Sequence, residues 1–349
     1  MASSSNQRLF LNATDKLGEL INSKANELFV SLNSFDTNSL GIADTYGDYF
    51  IHHHLGKRLF FSIQNSAHIL YESIQRCNKP VNEINAIDYG AGLGTLFMLG
   101  GMLGCKQFDY NDHLPDWQPT AAAVCKVAGI NITNYVMGDI NAVTDFATAN
   151  NFQYDIVVSR NVIEHIYSLP EFYSVLYRHN PKAIVYSTTT ANFHNPAMRL
   201  YHIYIHKKVE KKYYRQQRVE EIKKIQPLIP VDQLTKLTEF TRGKGQQDFN
   251  DTVENYVAGK AIQTDATLRS NTCDCISGVW SEHLLNKKEY ATIIMDAGFK
   301  MEFSAGYWDT HYSSAAMNVL AKILNSLILM LGKKNGILLS PFVNVVACN

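Results

Sequence analysis

At 349 residues the chain exceeds the usual size of one domain, so one large core with insertions, or two domains, is expected. Its 32 basic residues balance 32 acidic ones and 46% of positions are hydrophobic, an ordinary soluble composition that gives no support to a nucleic-acid binder held by bulk charge. The opening MASSSNQRLF lacks the basic segment and apolar core of a signal peptide, and the six cysteines are scattered apart from Cys273 and Cys275, so a cytoplasmic protein with reduced thiols is expected.

Residues 1–83 read as a helical N-terminal extension, because Leu59, Ile63, Ile69 and Leu70 recur near helical spacing. A core over residues 84–190 follows, in which short apolar runs at 86–89, 107–110, 134–137, 154–159 and 182–187 alternate with helical stretches. That alternation predicts βαβ units and a parallel sheet. The helix at 118–129 stops at Gly129, the usual terminating residue. Right-handed crossovers then bring the loops after the strands to one sheet edge, where ligands bind in such folds.

Residues 191–280 read as a helical cap inserted after the fifth strand, with charged helices over 195–226 ending near Pro227 and a polar stretch behind them. Residues 281–349 complete the core: an amphipathic helix at 287–297 ends at Gly298, and strands fall within 299–308 and 342–348. The apolar run at 316–331 is interrupted by Asn318, Lys322, Asn325 and Ser326 and is short for a membrane span. It predicts a helix packed on the core and no stable span, with surface contact to a membrane as the second reading.

IDYGAGLGT, from Ile87 to Thr95, reads as strand, turn and helix, with Gly90, Gly92 and Gly94 letting the backbone approach a ligand and the helix start offering free N–H groups. Asp88 precedes the turn. Asp112 ends the second run, 24 residues on, where a carboxylate can accept both hydroxyls of a ribose. Asp139 ends the third run and can accept from an exocyclic amine. Each acid alone reads as a loop carboxylate or helix cap; three in register at successive strand tips point to a nucleoside-bearing cofactor.

With SRNVIEHI at the end of the fourth run, this series resembles the class I S-adenosylmethionine-dependent methyltransferases over about residues 84–187, with a second part at 279–309. The resemblance implies an α/β, Rossmann-like fold: a mostly parallel seven-stranded sheet with helices on both faces, plus the helical extension and cap. It implies S-adenosyl-L-methionine as cofactor. Asp88, Gly90, Ala91, Gly92 and Gly94 would line its methionine moiety, Asp112 its ribose, Asp139 and Ile140 its adenine, and Ser159, Arg160 and Asn161 its methionine end. The expected partner is a small-molecule acceptor, with O-methylation of a sugar, glycan intermediate or natural product favoured and no nucleic acid expected. N-methylation of an amine and a non-catalytic relative of the fold stand as alternatives, and homo-oligomerisation is left open.

For Glu164 and His165 two readings stand. Either they pin the loop through its backbone, or His165 removes an acceptor proton while Glu164 fixes its tautomer. Glu282 and His283 precede the late helix, where related enzymes carry an acceptor-site histidine, so His283 is the third catalytic candidate; His194 lies at the same edge. General-base chemistry ranks above a cation held by Glu164, His165, His194 and His283, and no metal is expected: Asn161 stands where small-RNA methyltransferases, which share the VIEHI motif, carry a further glutamate. Ser168, Pro170 and Glu171 predict a capped helix start just after the motif. His52–His54 read as surface histidines, or as lining the cofactor mouth. The run from Lys207 to Lys224 carries eight Lys or Arg against three Glu and reads as a solvated helix face, or a grip for a phosphorylated acceptor.

Overall fold

The computed structural model describes residues 8–34, 44–262 and 268–349; the opening MASSSNQ lies outside them. One seven-stranded sheet forms the centre, in the order β3-β2-β1-β4-β5-β7-β6. The strands are β1 Asn85–Asp88, β2 Gln107–Asp112, β3 Tyr135–Met137, β4 Ile156–Arg160, β5 Ile184–Thr189, β6 Lys300–Ala305 and β7 Val343–Cys348. β1 to β5 pair in parallel and β7 inserts antiparallel between β5 and β6, so the expected fold class holds. The order reverses between β1 and β4, and a crevice opens beyond the strand ends at that point.

Neighbouring residues in each strand serve opposite layers, as strand geometry requires. Ala86, Ile156 and Val158 pack with α1 Lys16–Asn33, α3 Leu59–Cys77, α4 Thr95–Gly101 and α5 Trp117–Ala128 on one face. Ile87, Val157 and Val185 pack with α6 Ile140–Ala149, α7 Leu169–His179 and α12 Lys287–Asp296 on the other. Predicted termini are built as expected: Gly129 caps α5 in the left-handed region at φ 69°. At the start of α7, Ser168 accepts from Glu171 N–H at 3.3 Å, while the Glu171 carboxylate turns to Asn141 Nδ2. The helix preceding β6 carries a full capping box, Asn286 with Glu289.

The segment after β5 is mostly helical as far as Val257, with α8 Pro196–Val209, a π-helical turn Glu210–Tyr214, α9 Arg215–Ile225, α10 Val231–Phe240 and α11 Gln246–Val257. Its last part, 268–281, is turns and an isolated Cys273–Trp280 bridge. It has its own small core of Ile222, Leu237, Phe249, Val253 and Cys275. Inside it Arg218, fully buried, donates to Glu210 at 2.6 Å and to Thr238 O at 3.1 Å, so one cation of the basic run is internal. The remaining apolar helix, α13 Ala315–Asn335, departs from expectation: of Ala315–Gly332 only Ala321 and Ile328 are buried, and the helix lies on the surface.

Candidate active site

The turn after β1 is tight because Gly90 and Gly92 both take left-handed backbone angles, φ 68° and 50°. A Cβ on Gly90 would lie 2.6 Å from Val162 Cγ1, so the glycine also lets the loop after β4 close on the turn. A Cβ on Gly92 would meet nothing within 4 Å, which leaves backbone facing open space. Gly92 N–H donates to Asp112 Oδ2 at 3.0 Å and Leu114 N–H to Asp112 Oδ1 at 2.9 Å. Burial pushes the Asp112 carboxyl up, and the N–H groups of Leu114, His113 and Gly92 work against that.

Sequence reasoning passed over Asn111, which staples three strand tips. Its Nδ2 donates to Val136 O and Gly138 O, both at 3.0 Å, and its Oδ1 accepts from Gly90 N–H at 3.4 Å. Its signal is position alone, one residue before the acid. Asp139 caps α6, accepting from Asn141 and Ala142 N–H through Oδ1, and stays exposed.

Between these tips and the inserted segment lies a cleft of about 800 Å³ of empty space, open to solvent. Gly90, Asp139, Ile140 and His165 line it among the predicted residues, with Asn111 and Val162. Gln246, Ser277, Gly278 and Val279 of the insertion form its far wall. Tyr167 holds that wall in place: its hydroxyl donates to Asp248 Oδ2 at 2.7 Å and accepts from Gly245 N–H at 3.0 Å. Its ring stacks on Trp280, with centroids 6.2 Å apart.

The other predicted cofactor residues lie behind this surface or beside it. Asp88 is buried and its carboxyl is raised well above the usual range by burial, against the pull of Arg160 and the Phe97 N–H. Ser159 is buried with its hydroxyl on Ser187 Oγ at 2.8 Å. Asn161 is exposed at φ 57°, a left-handed position that asparagine tolerates. Ala91 and Gly94 shape the turn, where Gly94 N–H donates to Ala91 O at 2.9 Å.

Arg160 turns into the boundary between the sheet and the N-terminal extension. It donates to Ser62 O at 2.9 Å, to Ser62 Oγ at 3.0 Å and to His54 Nδ1 at 3.2 Å. A guanidinium only donates, so His54 Nδ1 accepts and its proton sits on Nε2. Burial and Arg160 hold the His54 ring well below the usual pKa and therefore neutral. His54 ends α2 Asp44–His54 and is buried over the glycine turn, whereas His52 and His53 are exposed.

Glu164 and His165, adjacent in the chain, meet different surroundings. His165 Nδ1 is 2.9 Å from Trp280 O; a carbonyl only accepts, so Nδ1 carries the proton and Nε2 the lone pair of the neutral ring. Glu164 is 1% exposed, its Oε2 has no hydrogen-bond partner, and burial raises its carboxyl despite nearby His165. The two therefore do not form an oriented acid–imidazole pair: a backbone carbonyl orients the ring.

His283 Nε2 donates to Ile166 O at 2.9 Å and lines a separate cavity with His206 and Trp280, on the other side of the loop from the cleft. His194 Nε2 accepts from Lys287 N–H at 3.0 Å at the start of α12. Glu282 instead sits between two histidines of α8, 3.5 Å from His202 Nδ1 and 3.3 Å from His206 Nε2. Burial alone would raise its carboxyl, but these partners hold it at about 2. Sequence reasoning missed this cluster, although the His-x-x-x-His spacing on one helix was its available signal. Among the described residues no three His, Cys, Asp or Glu side chains are gathered as a metal site requires.

The residues present fit a nucleoside-bearing cofactor: Gly90 of the open backbone turn and the exposed Asp139 line one space, and the buried Asp112 at the tip of β2 accepts from the Gly92 N–H of that turn. No family model and no curated protein matches the chain. Among solved structures it is similar to S-adenosylmethionine-dependent methyltransferases from Archaeoglobus fulgidus (12% identity, TM-score 0.39, 87% of this chain and 99% of that one) and Mesorhizobium loti (10%, 0.39, 80% and 98%). A third, from Clostridium acetobutylicum, matches at 12% identity and TM-score 0.34 over 43% of this chain and 59% of that one. In another match the chain spans 47% of its counterpart. The chain's own strand order gives the fold: a Rossmann-like, mostly parallel seven-stranded sheet with helices on both faces.

Proposed function

We propose that this chain is an S-adenosylmethionine-dependent methyltransferase that methylates a hydroxyl of a small molecule, a sugar or glycan intermediate before a natural product. One observation carries this reading: the tips of β1, β3 and β4 bring Gly90, Asp139 with Ile140, and the loop bearing His165 around one cleft, with Asp112 at the tip of β2 bonded to the Gly92 N–H of the same turn. Asp112 holds the ribose hydroxyls, Asp139 and Ile140 meet the adenine, and the buried Asp88 faces the methionine end with Ser159, Arg160 and Asn161 behind it. When bound, the cofactor supplies a methyl group on a sulfonium. The chain's own task is to place the acceptor in line and receive its proton.

His165 is the base. Its Nδ1–H is committed to Trp280 O, so Nε2 is the atom that takes the hydroxyl proton. Glu164 and His283 hold the loop: His283 N–H donates to Glu164 O at 2.7 Å, and His283 Nε2–H to Ile166 O. The wall of Gln246 and Ser277–Val279 narrows the entrance and selects a compact acceptor. A cytoplasmic setting accords with six free cysteines.

Isothermal titration with S-adenosylmethionine and its demethylated product is the first test, with one site per chain expected and no heat of binding contradicting the reading. Transfer of a labelled methyl group to a panel of sugars, phenols and amines then names the atom. Label on amines alone would replace the hydroxyl by nitrogen.

A further inference from the structure

α13 breaks at Gly332, where φ is 74°, and the continuous helix before the break, from Ala315 to Leu331, turns its apolar side chains outward. Leu329 is 80% and Met330 82% exposed, and Val319, Ile323 and Leu327 are exposed as well. At 100° per residue, Val319, Ile323, Leu327 and Met330 share one face. The opposite stripe faces the protein. Asn325 accepts from Trp308 N–H at 2.7 Å and donates to Trp308 O at 2.9 Å, and Asn318, seven residues earlier, clasps Tyr312 N–H and O in the same way. Ala321 and Ile328 are buried between them. So large an uncovered apolar face marks a docking surface.

Charge chooses the occupant. From Thr310 to the C-terminus the chain has three lysines, Lys322, Lys333 and Lys334, and no aspartate or glutamate, within a protein of zero net charge. A second copy meeting this face about a two-fold axis would bring the same lysines together with no acid from this segment to receive them. An anionic lipid surface offers both an apolar layer for the outward face and negative headgroups for the lysines. Crossing the bilayer is ruled out by the anchors: the helix is bound to the loop at 308–312 along its length, and its ends return to Ala305 and Val343, which pair in the sheet.

The neighbouring surface continues the pattern. Asn192 and Asn195 donate to Ser340 O, so α8 begins beside the segment that ends α13, and it exposes Leu200, Tyr201 and Tyr204 before Lys207 and Lys208. The loop under α13 also meets the N-terminal extension, where Phe60 and His311 rings lie 4.0 Å apart, two turns of chain from the His54 that covers the glycine turn.

We infer that α13 lies in the surface of an anionic bilayer, with its Val319–Met330 face in the acyl boundary and Lys322 and Lys334 at the headgroups. Resting on the methyltransferase reading, this makes the acceptor a hydroxyl compound carried on a lipid, presented to the cleft from the bilayer.

The test is co-sedimentation of the full chain with phosphatidylcholine vesicles, with and without phosphatidylglycerol. Binding is expected to the anionic vesicles, weakened by salt, and reduced about fivefold by Lys322→Glu. The double variant Ile323→Ser, Met330→Ser is expected to stay in the supernatant while binding S-adenosylmethionine as the parent does. Titration of the cofactor reads the methyltransferase assignment separately, since vesicle binding does not depend on it. Equal recovery in the supernatant with both vesicles would overturn the inference. So would a dimer in sedimentation velocity that the same double variant dissociates.

Discussion

Glu164 and His165 are one peptide bond apart, yet one belongs to the scaffold and the other to the site. His165 lines the cleft with its ring oriented by Trp280 O, whereas Glu164 is enclosed beside Glu282 with an oxygen that no donor reaches. The loop after β4 is thus a partition. On its cleft side lie the glycine turn and Asp139; on its other side the insertion is locked down by Glu282, His202 and His206. An acidic neighbour in sequence is no guide to which group orients a histidine: here the orienting acceptor comes from 115 residues away.

The sharpest way to break this contrast is His165→Ala. Turnover is expected to fall by about 10²–10⁴-fold with cofactor affinity unchanged, as loss of a general base requires, while Glu164→Gln costs far less. If the two variants lose activity equally, the partition is wrong. Steady-state rates on any acceptor found in the panel decide it.

Glu282→Gln addresses the other side. Its carboxyl, held at about 2 against an ordinary 4.5, contributes roughly 3 kcal/mol of stability. A depressed carboxylate stabilises above its unfolded value and loses that contribution as pH falls through 4.5 toward 2. His202, raised by Glu282 despite burial, stabilises below its ordinary 6.5 and loses that contribution as pH rises through its folded value. Urea midpoints from pH 3 to 8 should show the acid limb in the parent and not in the variant.

Asp112→Ala should weaken cofactor binding by roughly 10- to 100-fold, the worth of one or two charge-assisted hydrogen bonds, and should also lower the midpoint of unfolding, because Gly92 and Leu114 N–H lose their acceptor. Titration calorimetry checks it. The smallest effect expected is for Tyr167→Phe, about 1 kcal/mol of stability from the bond to Asp248 and a looser far wall, read as a raised KM with kcat kept.

What was legible in the sequence was local. β1 to β5 announce themselves by apolar runs, the turn by its glycines, and α5 and α7 by their caps, because each depends on residues within a few positions. The placement of Asp112 and Asp139 follows from those strands. The insertion's place and its charged first helices were legible, but its packing was not, since its core joins Ile222, Leu237, Phe249, Val253 and Cys275 across more than fifty positions. Arg160 was expected at the cofactor and is tied instead to Ser62 and His54, about a hundred residues earlier, a pairing that no local pattern encodes. For α13 hydropathy spoke for burial, but which side of a helix finds a partner depends on the Asn318 and Asn325 clasps, and these hold the thin polar stripe inward.

A crystal structure with the demethylated cofactor bound tests the central claim most directly. The account predicts ribose hydroxyls on Asp112, the adenine beside Asp139 and Ile140, and the sulfur facing the space lined by His165. Nucleoside density anywhere but across the Gly90–Gly92 turn would contradict it.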